Sequence, residues 1–439
     1  MKQKTALDIL KLGHNVFLTG PAGSGKTYLL NQYIAYLKEK GIGVAVTAST
    51  GIAATHMNGQ TIHSWSGMGI SDTLDEEDLT KLSKKHYHRQ KFKRAKVLII
   101  DEISMLHAHQ LDLVDSICKK FKDPFQPFGG LQVILCGDFF QLPPVAQYGR
   151  KAQLVMESAA WEAMQPKICY LEEQHRQEDH QMLRILNDIR SQSCDAQTMG
   201  LILSRENKAI KSKIVPTKLY THNANVDAIN DFELQKIQAE PKVFQMTATG
   251  IDNLISTIRR GCLAPETLVL KIGAAVMFVK NNFERGYVNG TLGRVVGFDG
   301  LGLPLVETAK GKKITVLPEK WSIEEDDVLL ASVTQMPLRL AWAITVHKSQ
   351  GMTLDAVEID LSKSFEYGMG YVALSRVRTL DGIKLLGINE TALAVNPQVY
   401  EFDKRLEELS HANVQVIGQL GILEKRRKQK EFLHEISSD

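Results

Sequence analysis

At 439 residues, with 44% hydrophobic and 23% charged residues, the chain has the composition of an ordinary globular protein and room for about two to four domains. No run approaches the roughly 18 apolar residues of a membrane span, and "MKQKTALDILKLGHNVF" has no secretory apolar core, so a soluble, cytoplasmic protein is expected. The scattered Cys118, Cys136, Cys169, Cys194 and Cys262 form no C-x-x-C pair, which argues against a disulfide framework or a zinc site, and a net charge of +3 makes any electrostatic footprint local.

Strand Val16–Leu18 leads into Gly20-Pro21-Ala22-Gly23-Ser24-Gly25-Lys26-Thr27, which fits G-x-x-x-x-G-K-[ST] between a strand and a helix. The glycines let the backbone curl so that its N–H groups turn onto phosphate, and the next helix adds its positive end. Lys26 suits the β- and γ-phosphates of a nucleotide, and Thr27 suits Mg²⁺. The helix itself rests on Leu29, Leu30, Tyr33, Ile34 and Leu37 at helical spacing, with Gly41 as its stop.

After strand Val44–Val46 come Thr47, Ser49 and Thr50, then His63, Ser64 and Trp65. They offer a phosphate-and-base surface, although a lone Trp equally suits a core. Acidic "SDTLDEED" is followed by basic "KKHYHRQKFKRAK" (84–96), with seven Lys or Arg in thirteen residues. Residues 63–95 are therefore expected to be a small insertion with a charged face. Tyr87 and Phe92 leave both solvated helix and nucleic-acid contact open.

In "KVLIIDEIS" the run Val97–Ile100 is expected to be a parallel strand. Asp101 at its end suits Mg²⁺ through water, and Glu102 suits polarising the attacking water. "VILCGDFFQLPPV" (133–145) ends another buried strand at the same sheet edge. Gln141 is placed to reach a γ-phosphate, Pro143 and Pro144 keep the loop extended, and at least one of Phe139 and Phe140 is expected to plug the core.

The pattern then restarts with strand Leu219–Thr221 and a helix from Asn223 or Asn225, without a second lysine phosphate loop. Short runs between 270 and 318, broken by Asn289-Gly290, Gly300 to Gly302 and Lys310-Gly311, suggest a small antiparallel barrel. A helical run is expected from about Leu340 to Gly351, then strand Ala356–Leu361. "YVALSRVR" is expected to be a helix presenting Arg376 to the other lobe's nucleotide, with Arg176 in "EEQHRQ" as a second candidate. The tail "LEKRRKQKEFLHEISSD" is expected to be an exposed charged helix or disorder.

Together these stretches resemble the Pif-type (petite integration frequency) DNA helicases of superfamily one. The resemblance rests on residues 102 to 145, followed in order by "HRQ", "VNGTLG", "HKSQGMTL" and "YVALSRVR", and covers about residues 3 to 385. It implies an α/β fold of two RecA-like parallel-sheet lobes (a P-loop NTPase). The first lobe (1–165) would carry a wedge insertion at about 63–95. The second (166–400) would carry a Src-homology-three-like β-barrel at about 265–335, and a charged tail would fill 401–439.

The resemblance further implies ATP and Mg²⁺ as cofactors, 5′→3′ movement on single-stranded DNA, and unwinding of duplex or structured DNA in repair, recombination, replication or telomere maintenance. Single-strand/duplex junctions are implied partners, G-quadruplex DNA is a candidate, and a monomer is the expected unit. By position Gln3 matches an adenine-reading glutamine, Gly351 a glycine beside the γ-phosphate, and Arg176 and Arg376 two arginine fingers. Thr50, His63, His347 and Ser349 fall in stretches that line the DNA path. The alternatives are a translocase or remodelling ATPase that never separates strands, and a regulatory nucleotide switch. For the switch, "NKAI" at 207–210 lacks the aspartate of a guanine-reading motif.

Overall fold

The structure, a computed structural model, describes residues 1–69, 73–144, 152–174, 179–210, 215–220, 226–282, 284–309, 311–325 and 328–438. Its centre is a six-stranded parallel sheet of β1 (Val16–Thr19), β2 (Val44–Ala48), β3 (Gln60–Thr61), β4 (Val97–Asp101), β5 (Gln132–Cys136) and β6 (Lys167–Tyr170), ordered β3-β2-β4-β5-β1-β6. β4 and β5 are buried along their whole length, as apolar strands are when both faces of a parallel sheet are covered. Alternate residues feed separate cores: Phe17, Leu98 and Ile100 pack on one side, Val16, Leu18, Val97 and Ile99 on the other.

After β7 (Thr217–Tyr220) and the helix Val226–Gln235 the chain leaves for a mainly β insertion that also carries the helix Asp252–Gly261. Its strands are β8 (Lys242–Gln245), β9 (Thr247–Gly250), β10 (Thr267–Leu270), β11 (Ala275–Phe278), β12 (Leu292–Phe298), β13 (Pro304–Thr308), β14 (Lys313–Thr315), β15 (Glu319–Glu325), β16 (Val328–Gln335) and β17 (Leu338–Leu340). Five of them form an antiparallel sheet, β14-β13-β12-β11-β17, beside the smaller β10-β8 and β15-β16-β9 sheets. The chain returns as β18 (Ala343–Thr345), β19 (Val357–Leu361) and β20 (Ile383–Ile388), and β18-β7-β19-β20 make the second parallel sheet.

Three expectations need correction. The run from Leu340 is not helical: it is the end of β17 followed by β18, because Ile344 and Thr345 fill a buried parallel strand, and short apolar runs carry no decisive period. The mainly β segment extends on both sides of 265–335, from Lys242 to Leu340, with the helix Asp252–Gly261 between β9 and β10. Finally, β6 belongs to the first sheet although it lies beyond residue 165, while the tail from Leu423 is the charged, mostly exposed helix expected, within Ile422–Ser438. The helix Pro397–Gln419 packs on β6, where Ser410 Oγ accepts the Tyr170 N–H at 3.1 Å and Asn413 donates to the Ile168 carbonyl at 3.1 Å. The expected helix start at Asn223 or Asn225 lies outside the described residues.

The charged insertion is two helices, Glu76–Lys84 and His86–Arg94, with an aromatic seam beneath. Phe92 is fully buried, stacks on Phe121 at 4.2 Å and 4° and meets Trp65 at 4.7 Å. Trp65 is thus core rather than a base platform, and of this group Tyr87 alone is exposed. Phe92→Ala is expected to cost about 3–5 kcal/mol of first-lobe stability, read as a lower denaturation midpoint. An unmoved midpoint contradicts the seam.

Candidate nucleotide site between the two lobes

Gly23 (φ +89°) and Gly25 (φ +83°) hold left-handed conformations that side chains resist, and they curl the loop onto the start of the helix Lys26–Glu39. Lys26 Nζ donates to the Gly20 and Pro21 carbonyls at 2.8 and 3.1 Å, so the ammonium lies along the loop mouth where a phosphate offers stronger acceptors. Thr27 is exposed in the same cleft. The loop is not uniform. Pro21 has no N–H, the Ala22 N–H donates to the Tyr371 hydroxyl at 3.1 Å, and the Ser24 hydroxyl is buried without a hydrogen-bond partner. Gln3 reaches the loop from the helix Gln3–Lys11, which sequence inspection missed, and its Nε2 donates to the Ser24 carbonyl at 3.2 Å.

β4 delivers the two acids. Burial pushes the Asp101 carboxyl above its usual range, against hydrogen bonds from the Cys136 thiol and the Glu102 N–H (2.9 Å) and the charge of Lys26. Glu102 takes a left-handed turn (φ +52°), which swings its side chain out of strand register into the cleft. Burial first and the neighbouring Asp101 second push its carboxyl up to about 7, while Lys26 and Arg376 oppose the shift. Gln350 Nε2 donates to Glu102 Oε2 at 3.1 Å, so the second lobe holds this acid directly.

The loop after β5 reaches the same place. Gln141 lines the cleft, its Nε2 donates to Asp138 Oδ2 at 3.4 Å, and its Oε1 is buried without a partner. Both phenylalanines are core: Phe139 packs on Phe17 (5.2 Å) and Trp161, and Phe140 lies under the Arg190 guanidinium at 4.1 Å. Neither offers an exposed ring to a nucleic-acid strand. A Cβ on Gly368 (φ +80°) would stand 2.5 Å from the Phe140 carbonyl oxygen, so glycine is what lets this loop abut the helix Met369–Ser375 of the second lobe.

The phosphate loop, Asp101, Glu102 and Gln141 thus face Gln350, Gly351, Arg376 and Arg378 across one cleft of about 550 Å³. Arg376, 1% exposed, donates from Nε to the Val372 carbonyl at 3.0 Å and from Nη2 to Ser375 Oγ at 2.9 Å. Burial pulls its guanidinium below the ordinary value, with Glu102 opposing. Arg176 lies outside the described residues.

The four residues matched to a nucleic-acid path divide. Thr50 caps the helix Gly51–His56 and lines the cleft with His347, whose imidazole is lowered by burial. His63 stands on the separate helix Ile62–Ser66. Ser349 is fully buried and its hydroxyl donates to the Val346 carbonyl at 2.8 Å, so the expectation of a surface contact fails: the side chain is spent on its own turn. Sequence reasoning missed His56 and Asn289. They join the first lobe to the β-insertion at 3.1 Å, and burial holds His56 neutral by lowering it to about 4. The Asn-Gly turn was the available signal.

Residues 2–193 match the family model "PIF1-like helicase", and 253–298 match "DNA helicase Pif1, 2B domain". The chain is 46% identical to the ATP-dependent DNA helicase Pif1 of Psychrobacter sp. (strain PRwf-1), over 93% of this chain and 71% of that one. It is 37% identical to the Homo sapiens ATP-dependent DNA helicase PIF1, over 91% of this chain and 63% of the human protein. The Bacteroides sp. Pif1 in complex with ADP-AlF4 superposes with a TM-score of 0.80 at 30% identity, covering 94% and 97% of the two chains. The Bacteroides Pif1 bound to single-stranded DNA superposes with a TM-score of 0.64 at 30% identity, covering 94% and 97% of the two chains.

Proposed function

The chain belongs to the PIF1-like helicase family, and on that footing we propose that it is an ATP-driven helicase that moves 5′→3′ along single-stranded DNA and separates strands at a junction. The observation that carries this reading is the cleft itself. A triphosphate lying against the phosphate loop meets Lys26, Glu102 and Gln141 on one side and Gln350, Gly351 and Arg376 on the other, so its γ-phosphate is held by both lobes.

Glu102, deprotonated, takes a proton from the attacking water. Lys26 and Arg376 offset charge on the transferring phosphoryl group, and Gln141 senses its presence. Arg176 is the second arginine of this reading. Mg²⁺ fits the donors present. Thr27 would offer a hydroxyl and Asp101 a buried carboxylate, whose charged form burial disfavours and a nearby cation would favour. Mg²⁺, when bound, would supply charge neutralisation for the triphosphate.

Closure of the lobes on ATP and reopening after hydrolysis drive the movement. Such an activity serves repair, recombination or replication, with single-strand/duplex junctions and G-quadruplex DNA as substrates of one monomer. No described helix is long and apolar enough to cross a membrane. The test is ATP hydrolysis with and without single-stranded DNA, with Lys26→Ala as the blank. Stimulation that weakens as salt rises is expected. Hydrolysis indifferent to DNA contradicts the reading.

A further inference from the structure

Asp138, 1% exposed, is the hub of a polar cluster beneath the cleft. Its Oδ1 accepts from Arg190 Nη1 at 2.8 Å and from the Phe140 N–H at 3.2 Å. Its Oδ2 accepts from the Tyr371 hydroxyl at 3.3 Å and from the Gln141 amide at 3.4 Å. The Tyr371 hydroxyl in turn accepts the phosphate-loop Ala22 N–H at 3.1 Å and Arg190 Nη1 at 3.2 Å. Arg190 is anchored from behind by the Tyr170 hydroxyl at 2.8 Å and by Asp403 at 3.5 Å, on the helix Pro397–Gln419. Neither Asp138, Arg190 nor Tyr371 lines the cleft, so none of them touches a nucleotide there.

We propose that Asp138, Arg190 and Tyr371 form a relay that ties occupancy of the phosphate loop to the position of the helix carrying Arg376, with Gln141 as its moving part. The inference rests on the nucleotide reading above. Gln141 is the most loosely held member: its amide makes the longest bond to the carboxylate, and its buried Oε1 has no hydrogen-bond partner. A γ-phosphate is a stronger acceptor than a carboxylate already shared among four donors. When the amide turns to it, Asp138 Oδ2 is left to Tyr371 alone, and the Tyr371 hydroxyl tightens on Asp138. Tyr371 and Arg376 ride the same short helical segment, five residues apart, so a shift of one carries the other. The close approach at Gly368 leaves no slack between loop and helix. These three are positioning residues that act through Gln141 and Arg376.

The test is Tyr371→Phe, which keeps the ring and removes only the hydroxyl, assayed for the maximal rate of DNA-stimulated ATP hydrolysis and for equilibrium ATP binding, beside its thermal midpoint. A maximal rate lowered about tenfold with ATP binding and midpoint retained is expected, the scale of one hydrogen bond to a charged network. A folded variant whose maximal rate equals that of wild type overturns the relay, and so does one whose whole loss lies in ATP binding. Arg190→Lys keeps the charge but loses the forked geometry, and it carries the same test with the same outcomes if Tyr371→Phe does not fold. Wild-type protein that DNA does not stimulate overturns the helicase reading itself and the relay with it, whereas a stimulated wild type with an unaltered variant removes the relay alone.

Discussion

Replacing Arg376 by alanine is expected to lower the maximal rate of ATP hydrolysis about 10³- to 10⁵-fold while ATP binding stays measurable, because an arginine supplied across a phosphoryl-transfer site acts on charge that develops in the transition state. The structure gives this expectation its shape. Arg376 is buried at the lobe junction and lines the cleft with Lys26 and Glu102, yet it comes from the other parallel sheet's lobe. Its Nε and Nη2 bonds within its own helix fix the direction of the planar head before any phosphate arrives. Lysine restores charge without that planar fork, so Arg376→Lys is expected to recover little of the rate. Single-turnover hydrolysis beside equilibrium nucleotide binding separates the two effects. A variant within tenfold of wild type removes Arg376 from the chemistry.

The second large effect falls on Glu102. Glu102→Gln keeps the shape and the contact with Gln350 but removes the base, and a loss of about 10²- to 10⁴-fold in turnover is expected with ATP and DNA binding retained. The pH dependence follows in sign. Burial and the neighbouring Asp101 raise the carboxyl to about 7, so the working carboxylate is present above that pH and is lost as pH falls through it. kcat/KM, which reports the free enzyme, is expected to decline below about pH 7 in wild type. The residual activity of Glu102→Gln is expected to lack that decline. An identical profile in the variant assigns the titration elsewhere.

The parts legible in the sequence are those whose chemistry is local. A glycine loop with Lys26 and Thr27, or a strand ending in Asp101-Glu102, carries its geometry within a few residues, and the structure brings all of these into one cleft with Gln141, Gly351 and Arg376. What escaped depends on contacts far along the chain. Nothing near Arg190 announces that Asp138, 52 positions away, is its partner, nor near Tyr371 that its hydroxyl meets the phosphate loop 349 residues back. The C-terminal helices looked free because their polar faces dominate, yet Ile417 is buried in the first-lobe core. Phe139 and Phe140 stand beside a ligand-sensing glutamine and still pack inward, since their rings gain more from Phe17, Trp161 and the Arg190 cation than from water. Ser349 shows the reverse error: a polar residue in a functional stretch can simply close its own turn.

The most direct measurement is ATP-dependent separation of two labelled duplexes, one with a single-stranded 5′ tail and one with a 3′ tail, with Lys26→Ala as the blank. The 5′-tailed duplex alone is expected to come apart, and the blank to separate neither. Unwinding of the 3′-tailed duplex alone contradicts the polarity, and hydrolysis stimulated by DNA with neither duplex opened contradicts strand separation and leaves a translocase.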